Sequence, residues 1–294
     1  MFRLGIDLGG TKIEGVVLDR EGKILFRERI ATEQEKGYEH ILRRIHLLYG
    51  RMKEKIAGAP HALGIGTPGA LSHKTGRLKN SNTAALNDRL CLKDLENILE
   101  HPAAVENDAN CFAMAEAQAG AGKGKAFVFG VIMGTGCGGG LIYKGELLRG
   151  HQAIAGEWGH MVLDPQGPPC YCGARGCVET FISGGGLESL YRSRHGSQKP
   201  LKDILADYRN NKADARDFLR EFFARFGQAL ANVINVLDPD IVVLGGGLSQ
   251  IEELYGPGVE EVKARVFTDE LLTPVVQNKL GDSAGVLGAA WIGI

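Results

Sequence analysis

The sequence predicts an α/β protein of two related lobes, each opening on a β-meander whose first hairpin turns through glycines. Three observations carry this. Leu4-Gly5-Ile6-Asp7-Leu8-Gly9-Gly10 sets over Phe129-Gly130-Val131-Ile132-Met133-Gly134-Thr135, with Gly5 over Gly130 and Gly9 over Gly134, and Gly15 falls over Gly140. Short apolar strands alternate with stretches of helical period. At 294 residues, 44% of them hydrophobic and 23% charged, the chain can bury a large core and exceeds the usual single domain. The expected division is residues 1–108 with 282–294 as a smaller lobe and 109–281 as a larger one.

Taken in order, Arg3 to Asp7, Ile13 to Leu18 and Lys23 to Ile30 read as three strands joined by Leu8-Gly9-Gly10-Thr11-Lys12 and by Asp19-Arg20-Glu21-Gly22. Glycines at 9 and 10 let backbone N–H groups approach a phosphate, and Thr11 and Lys12 add a hydroxyl and a positive charge. A Rossmann or P-loop sequence would enter a helix here, whereas Gly15-Val16-Val17-Leu18 continues as strand. A plain tight hairpin is the competing reading of the glycines. Asp7 at the strand end favours a Mg2+-phosphate site, and its counterpart in the second copy is Ile132, so the repeat alone does not demand a carboxylate.

Gly37 to Ile56 has helical spacing of Ile41, Leu42, Ile45, Leu48 and Met52 and predicts a helix covering a sheet. Ala62 to Gly66 is a buried strand ending in Thr67-Pro68-Gly69; Lys79-Asn80-Ser81-Asn82 is a polar cluster, and Leu92 to Leu99 a further helix. Strand Ala103 to Glu106 hands over through Asn107 and Asp108 to an alanine-rich helix, Ala109 to Ala119. Asp108 is an expected N-cap, and a strand end in an α/β sheet also faces the ligand crevice. Phe127 to Leu148 repeats the opening meander, Gly184 to Ala231 is largely helical with breaks at Lys199-Pro200 and Asn210-Asn211, and Phe218, Phe222, Phe223 and Phe226 are core. Strand Ile241 to Leu244 precedes Gly245-Gly246-Gly247, a glycine-rich end that could receive a nucleoside, and Ala284 to Ile292 is a closing helix.

Gly156-Glu157-Trp158-Gly159-His160 and Cys170-Tyr171-Cys172-Gly173-Ala174-Arg175-Gly176-Cys177-Val178-Glu179 read as a metal segment spanning 156–179. Three thiolates within eight positions, with His160 as the fourth ligand, suit zinc, and four protein ligands make the zinc structural. A disulfide is the rival reading, but Cys170 and Cys172 are too close to pair comfortably. Zinc would hold Glu157 and Glu179 on a rigid frame as hydroxyl-binding groups; otherwise they are solvated surface carboxylates.

Net charge −1 and pI near 6.7 favour neither nucleic acid nor an anionic membrane as a partner and fit a small molecule. Residues 1 to 8 lack a signal peptide's long apolar run, and no stretch approaches twenty apolar residues, so a cytoplasmic location is expected. Cys91, Cys111 and Cys137 read as reduced, buried side chains.

Together, Asp7-Leu8-Gly9-Gly10-Thr11-Lys12, Glu106-Asn107-Asp108-Ala109-Asn110, Gly134-Thr135-Gly136, Gly156-Glu157-Trp158-Gly159-His160, the Cys170 to Cys177 cluster and Gly245-Gly246-Gly247 resemble the ROK family of bacterial sugar kinases over nearly the whole chain. The resemblance implies an actin-like ATPase (ribonuclease H-like) fold, ATP between the lobes, a hexose in the cleft and a homodimer. It implies phosphate loops at Gly5, Ile6, Asp7, Leu8, Gly9, Gly10, Thr11 and Lys12 and at Met133, Gly134, Thr135, Gly136, Cys137, Gly138, Gly139 and Gly140. It makes Asp108 the general base and Asn107 a sugar ligand, with Gly69, Asn82, Glu157, His160 and Glu179 completing the sugar site and His160 serving zinc as well.

Pro169 to Gly173 and Glu179 to Gly184 look most like the fructokinase or mannokinase branch, although Ala84-Ala85 stand where that branch carries a Trp. The implied reaction is ATP- and Mg2+-dependent phosphorylation of a hexose 6-hydroxyl, on fructose, mannose or glucose, with N-acetylglucosamine or N-acetylmannosamine as the alternative. A sugar-binding regulator without catalysis is the reading from another class. ROK-like repressors add a helix-turn-helix at the N-terminus, and the first strand here begins at Arg3.

Overall fold

The computed structural model describes residues 1–72, 74–79 and 84–293. In chain order the strands are β1 (Phe2–Leu8), β2 (Lys12–Leu18), β3 (Ile24–Ala31), β4 (His61–Thr67), β5 (Ala70–Leu71), β6 (Leu78–Lys79), β7 (Ala104–Asn107), β8 (Phe127–Met133), β9 (Cys137–Tyr143), β10 (Glu146–Leu147), β11 (Ile241–Gly245) and β12 (Val275–Gln277). The α-helices are α1 (Tyr38–Lys55), α2 (Leu92–Leu99), α3 (Asp108–Ala119), α4 (Val178–Ile182), α5 (Gly184–His195), α6 (Leu201–Arg209), α7 (Ala213–Leu237), α8 (Pro257–Lys263) and α9 (Ala284–Ile292). They divide into two compact units, one of Met1–Gly124, Gly145–Leu147 and Lys279–Ile294, the other of Lys125–Lys144 and Leu148–Asn278.

The first unit is built on a sheet of order β3-β2-β1-β4-β7. β1 to β3 form the expected antiparallel meander, and β4 and β7 then add in parallel to β1. β3 alternates exposed and half-buried residues, as an edge strand with one solvated face does. α1 covers one face, where Leu48 and Met52 fill the space left by Gly15. α9 covers the other face so closely that its contacts are backbone to backbone. A Cβ on Gly5 would sit 2.4 Å from Ala290 N and Val286 O, and one on Gly64 1.9 Å from Ala289 O. α9 is apolar all round because it is buried all round, with α3 on its far side, where a Cβ on Gly288 would meet Cys111 O at 1.7 Å.

This packing explains why the first unit extends past the boundary expected after Asp108. α3 is locked to α9, and the chain leaves the unit only after Gly124. Glu116, fully buried near the C-terminal end of α3, fixes that end. Its carboxylate accepts N–H bonds from Ala121 (2.8 Å), Lys279 (3.2 Å) and Leu280 (2.9 Å), so one side chain ties the outgoing chain to the returning one.

The second unit repeats the plan. Its main strands run in the order β9-β8-β11-β12, with the β8–β9 hairpin antiparallel and β11 and β12 parallel to β8. The 25-residue α7 buries Phe218, Phe222, Phe223 and Phe226 in the core with Val242 and Leu244 of β11. Pro200 caps α6 and Asn210 ends it, as the two breaks in the helical stretch predicted. The sequence reading did not resolve α4, α8 or β12, each of seven residues or fewer and without a full period of its own.

Candidate active site and metal centre

In the first unit the candidate residues collect at the C-terminal ends of β1, β4 and β7. Asp7 pairs in register with Glu14 on one side and Gly66 on the other, and Asp7 Oδ2 lies where a Cβ on Gly285, in the first turn of α9, would approach to 2.9 Å. Burial, then the charges of Asp108 and Glu14, push the Asp7 carboxyl up to about 6, against the pull of Lys12 and Arg29. Glu14 itself is 3% exposed and held by Arg27 Nε (2.5 Å) and Arg29 Nη2 (2.7 Å). Sequence reasoning missed this charge cluster, because glutamate and arginines on adjacent strands become neighbours only through the register.

The first glycine hairpin is closed by Gly9 N–H donating to Lys12 O (2.9 Å) and braced by the buried Thr32 hydroxyl donating to Gly9 O (2.7 Å). Thr11 and Lys12 are exposed, Gly9 and Gly10 half-buried. Gly5, Ile6 and Leu8 lie inside the strand and core, which narrows the ligand-facing part of residues 5–12 to Asp7 and Gly9–Lys12.

At the end of β7 the N-cap of α3 is Asn107 and not the expected Asp108: Asn107 Oδ1 accepts Asn110 N–H at 2.7 Å. Asp108 follows as the first helical residue, its Oδ1 accepting Ala109 N–H at 2.9 Å, and it is exposed. Capping by the neighbour leaves the Asp108 carboxylate at the surface of the strand end. Gly69, with φ 103°, turns the chain after β4, a conformation that favours glycine. Asn82 lies outside the described residues.

In the second unit, the hairpin after β8 closes through Gly134 N–H to Gly136 O (2.9 Å), and Gly184 N–H at the start of α5 donates to Gly134 O (2.8 Å). A Cβ on Gly134 or Gly247 would meet nothing within 4 Å, so packing does not explain those two glycines. Gly246 differs: its φ of 77° and the 2.3 Å approach of Met133 O require glycine. Met133, Gly139, Gly140 and Gly245 are buried in the sheet, Cys137 nearly so and Gly138 half-buried, which leaves Gly134–Gly136, Gly246 and Gly247 as the surfaces open to a ligand. Glu179 belongs to this hairpin. Its Oε2 accepts Cys137 N–H at 2.9 Å and stands 2.7 Å from where a Cβ on Gly136 would be.

The segment Gly156–His160 packs on β9 through further glycine contacts. Trp158 Nε1 donates to Gly138 O (3.0 Å), and Gly159 closes on Cys137 O, where a Cβ would come to 2.2 Å. This presents His160 to the cysteines. The ligand atoms of His160, Cys170, Cys172 and Cys177 all lie within 4.8 Å of one another, with Cys172 Sγ to Cys177 Sγ 3.7 Å and Cys170 Sγ to His160 Nδ1 3.7 Å. Tetrahedral zinc with bonds of about 2.3 Å to sulfur has sulfur–sulfur edges of about 3.8 Å, so the set fits zinc. All six cysteines are unpaired thiols, which removes the disulfide reading.

His160 Nε2 lies 3.0 Å from the Tyr171 hydroxyl, an arrangement that fixes the imidazole with Nδ1 towards the sulfurs. Tyr171 was not singled out from the sequence. Although the residue is 72% exposed as a whole, desolvation of its hydroxyl end, beside His160, and then the negative charges of Glu179 and Glu157 push that hydroxyl up to about 12.

The family model described as "ROK family" matches residues 3–294. The chain belongs to the ROK family. An N-acetyl-D-glucosamine kinase of Mannheimia succiniciproducens is 36% identical over 97% of this chain and 97% of its own. A ROK hexokinase from Thermus thermophilus superposes with TM-score 0.92 at 30% identity, over 100% of this chain and 98% of that one. A ROK glucokinase from Streptomyces griseus, in complex with glucose and AMPPNP, matches with TM-score 0.76 and 30% identity, over 100% and 99%. The two repeated units of this ROK protein are thus those of the actin-like ATPase fold. Among the described residues no helix is long and apolar enough to cross a membrane.

Proposed function

We propose that this chain is an ATP-dependent sugar kinase that phosphorylates the 6-hydroxyl of N-acetylglucosamine. The observation that carries the reading is the 36% identity, along 97% of both chains, to an N-acetyl-D-glucosamine kinase. It favours the N-acetylhexosamine alternative over the fructokinase branch that the residues around Cys170 and Glu179 suggested.

Asp108, exposed at the end of β7, accepts the proton as the sugar oxygen forms its bond to the γ-phosphorus and the bond from that phosphorus to the bridging oxygen of ADP breaks. The amides of Gly9–Lys12 and of Gly134–Gly136, with Lys12, hold the phosphates. Mg2+ would supply neutralisation of phosphate charge, and the carboxylate oxygens of Asp7 suit it as a hard cation. Asn107, Gly69, Glu157, His160 and Glu179 orient the sugar hydroxyls. Asn107 binds through its amide NH2, since its oxygen is used in capping α3. Zinc on His160, Cys170, Cys172 and Cys177 keeps His160 and Glu179 in place and does no chemistry itself.

The test is ADP release with ATP and Mg2+ against N-acetylglucosamine, N-acetylmannosamine, glucose, mannose and fructose. N-acetylglucosamine is expected to give the highest kcat/KM. Asp108→Ala is expected to lower kcat about 10²–10⁴-fold while sugar still binds by calorimetry. A different preferred sugar overturns the substrate assignment, and unchanged turnover in the variant overturns the base.

A further inference from the structure

The metal segment carries a second clamp, made of side chains alone. Arg225 leaves the middle of α7 between Phe223 and Phe226, both buried in the core of the second unit. Its Nη2 donates to Asp164 Oδ2 at 3.1 Å, and its guanidinium carbon stands 4.7 Å from the centre of the Phe181 ring. One side chain thus meets both the stretch that follows His160 and the helix α4 that carries Glu179. Its partners are themselves fixed. Phe181 is buried, and Asp164 O accepts Gly167 N–H (2.8 Å) while Gly176 comes so near that a Cβ there would stand 1.6 Å from the same oxygen.

Zinc would tie the same two stretches at another point, through His160 on one and Cys177, the N-cap of α4, on the other. Backbone bonds from Val178 N–H to Met161 O and from Leu163 N–H to Gly176 O, both 2.8 Å, fix the register of the two stretches. Neither the zinc ligands nor these bonds involve α7. Phe181 seats α4 in the core against α7, and Arg225 extends that seat to Asp164. A planar guanidinium suits the task, since its edge donates to a carboxylate while its face covers an aromatic ring. A lysine ammonium is a point charge and does one or the other.

We propose that Arg225 is a positioning residue for the sugar site: paired with Asp164 and stacked on Phe181, it holds the stretch after His160 against α4, so that zinc stays on its ligands and His160 and Glu179 keep their spacing. Its effect on turnover rests on the sugar-kinase reading, with His160 and Glu179 on the substrate. Its effect on zinc does not.

The experiment compares the zinc-loaded full chain with Arg225→Met, Arg225→Lys and Asp164→Asn. Arg209→Met is the control, because Arg209 makes an ion pair with Glu253 in the same unit but outside the metal segment. The rate of zinc release to an excess of a coloured chelator, the melting temperature, and kcat and KM for the best sugar are measured for each. In Arg225→Met and Asp164→Asn, zinc release is expected to speed up about fivefold or more and KM for sugar to rise about threefold or more, with kcat within about twofold. Arg225→Lys is expected to fall between these and wild type, and Arg209→Met to change neither zinc release nor KM. Wild-type zinc release in the folded Arg225→Met and Asp164→Asn variants overturns the proposal, as do equal changes in Arg209→Met or a chain that takes up no zinc. Faster zinc release with an unchanged KM overturns the link to the sugar site. If Arg225→Met does not fold, Asp164→Asn, which keeps the size of the side chain, decides. If no sugar turns over, the kinase reading fails, and zinc release decides the clamp by itself.

Discussion

Asp7 is where burial and charge act on the same group. Its carboxyl is raised to about 6 by desolvation and by Asp108 and Glu14, so the ionised form is the one the folded protein disfavours. The sign follows from linkage. Below the ordinary carboxylate value of 3.8 both states carry the proton, and between there and 6 the folded state holds more protons than the unfolded one. Stability from this group is therefore lost as pH rises through that window. Asp7→Asn should raise the melting temperature of the metal-free, nucleotide-free protein above pH 6, by a stabilisation on the order of 2 kcal/mol, and have little effect below pH 4. Calorimetric scans from pH 4 to 8 check it; a variant no more stable at pH 7.5 than wild type contradicts it. The same variant should weaken Mg2+-dependent turnover, as expected of a residue that gives up stability for a binding role.

At the scale of elements, the metal segment behaves as one unit. Gly156–His160 is held on β9 by Trp158 and Gly159; the cysteine turn is closed on itself by the bridge of Pro169 with Arg175 and meets the residues that follow His160 through the bridge of Val162 with Cys177. Zinc would tie His160 itself to the turn, beside the backbone bonds of Leu163 N–H to Gly176 O (2.8 Å) and Val178 N–H to Met161 O (2.8 Å). One zinc per chain is expected by elemental analysis, and Cys177→Ser, at a fully buried ligand, should lose it. Because Val178 and Glu179 start α4 directly after Cys177, metal loss should raise KM for sugar more than it lowers kcat. A variant that keeps its zinc and its KM would show that the cluster is not the ligand set.

Element legibility followed period length. Leu92–Leu99 and Ala284–Ile292 have the ends read from the sequence, and α1 and α3 agree to within a residue or two, since each carries its own pattern or composition. The grouping of His160 with the cysteines and the two glycine hairpins were legible for a related reason: each is a local cluster in the chain. What was not legible depends on contact between distant stretches. The Glu14–Arg27–Arg29 group needs the strand register, Tyr171 needs the fold of the metal turn, and the capping role passes from Asp108 to Asn107 by one residue.

At the scale of the whole molecule, Glu116 is the residue to test. A carboxylate in an apolar, alanine-rich helix, near the end where the helix dipole disfavours negative charge, is the one sequence signal that could have marked it. It satisfies N–H groups of Ala121, Lys279 and Leu280. Glu116→Ala takes the acceptor from three part-buried N–H groups and should cost about 1–3 kcal/mol, whereas Glu116→Gln, which keeps one acceptor oxygen, should cost less. Equilibrium urea unfolding of the three proteins checks the order; equal stability would remove Glu116 from any structural role.

The close seating of α9 has a consequence for how the protein is made. Gly5, Gly64 and Gly288 are bare because the backbones of β1, β4, α3 and α9 press together there, yet α9 lies some 280 residues after β1. During translation the sheet that carries Asp7 emerges early and waits, one apolar face uncovered, while the entire second unit is synthesised. The unit that begins the chain is thus the last to be completed, and a ribosome that stalls before residue 284 releases a chain whose first sheet has no lid of its own.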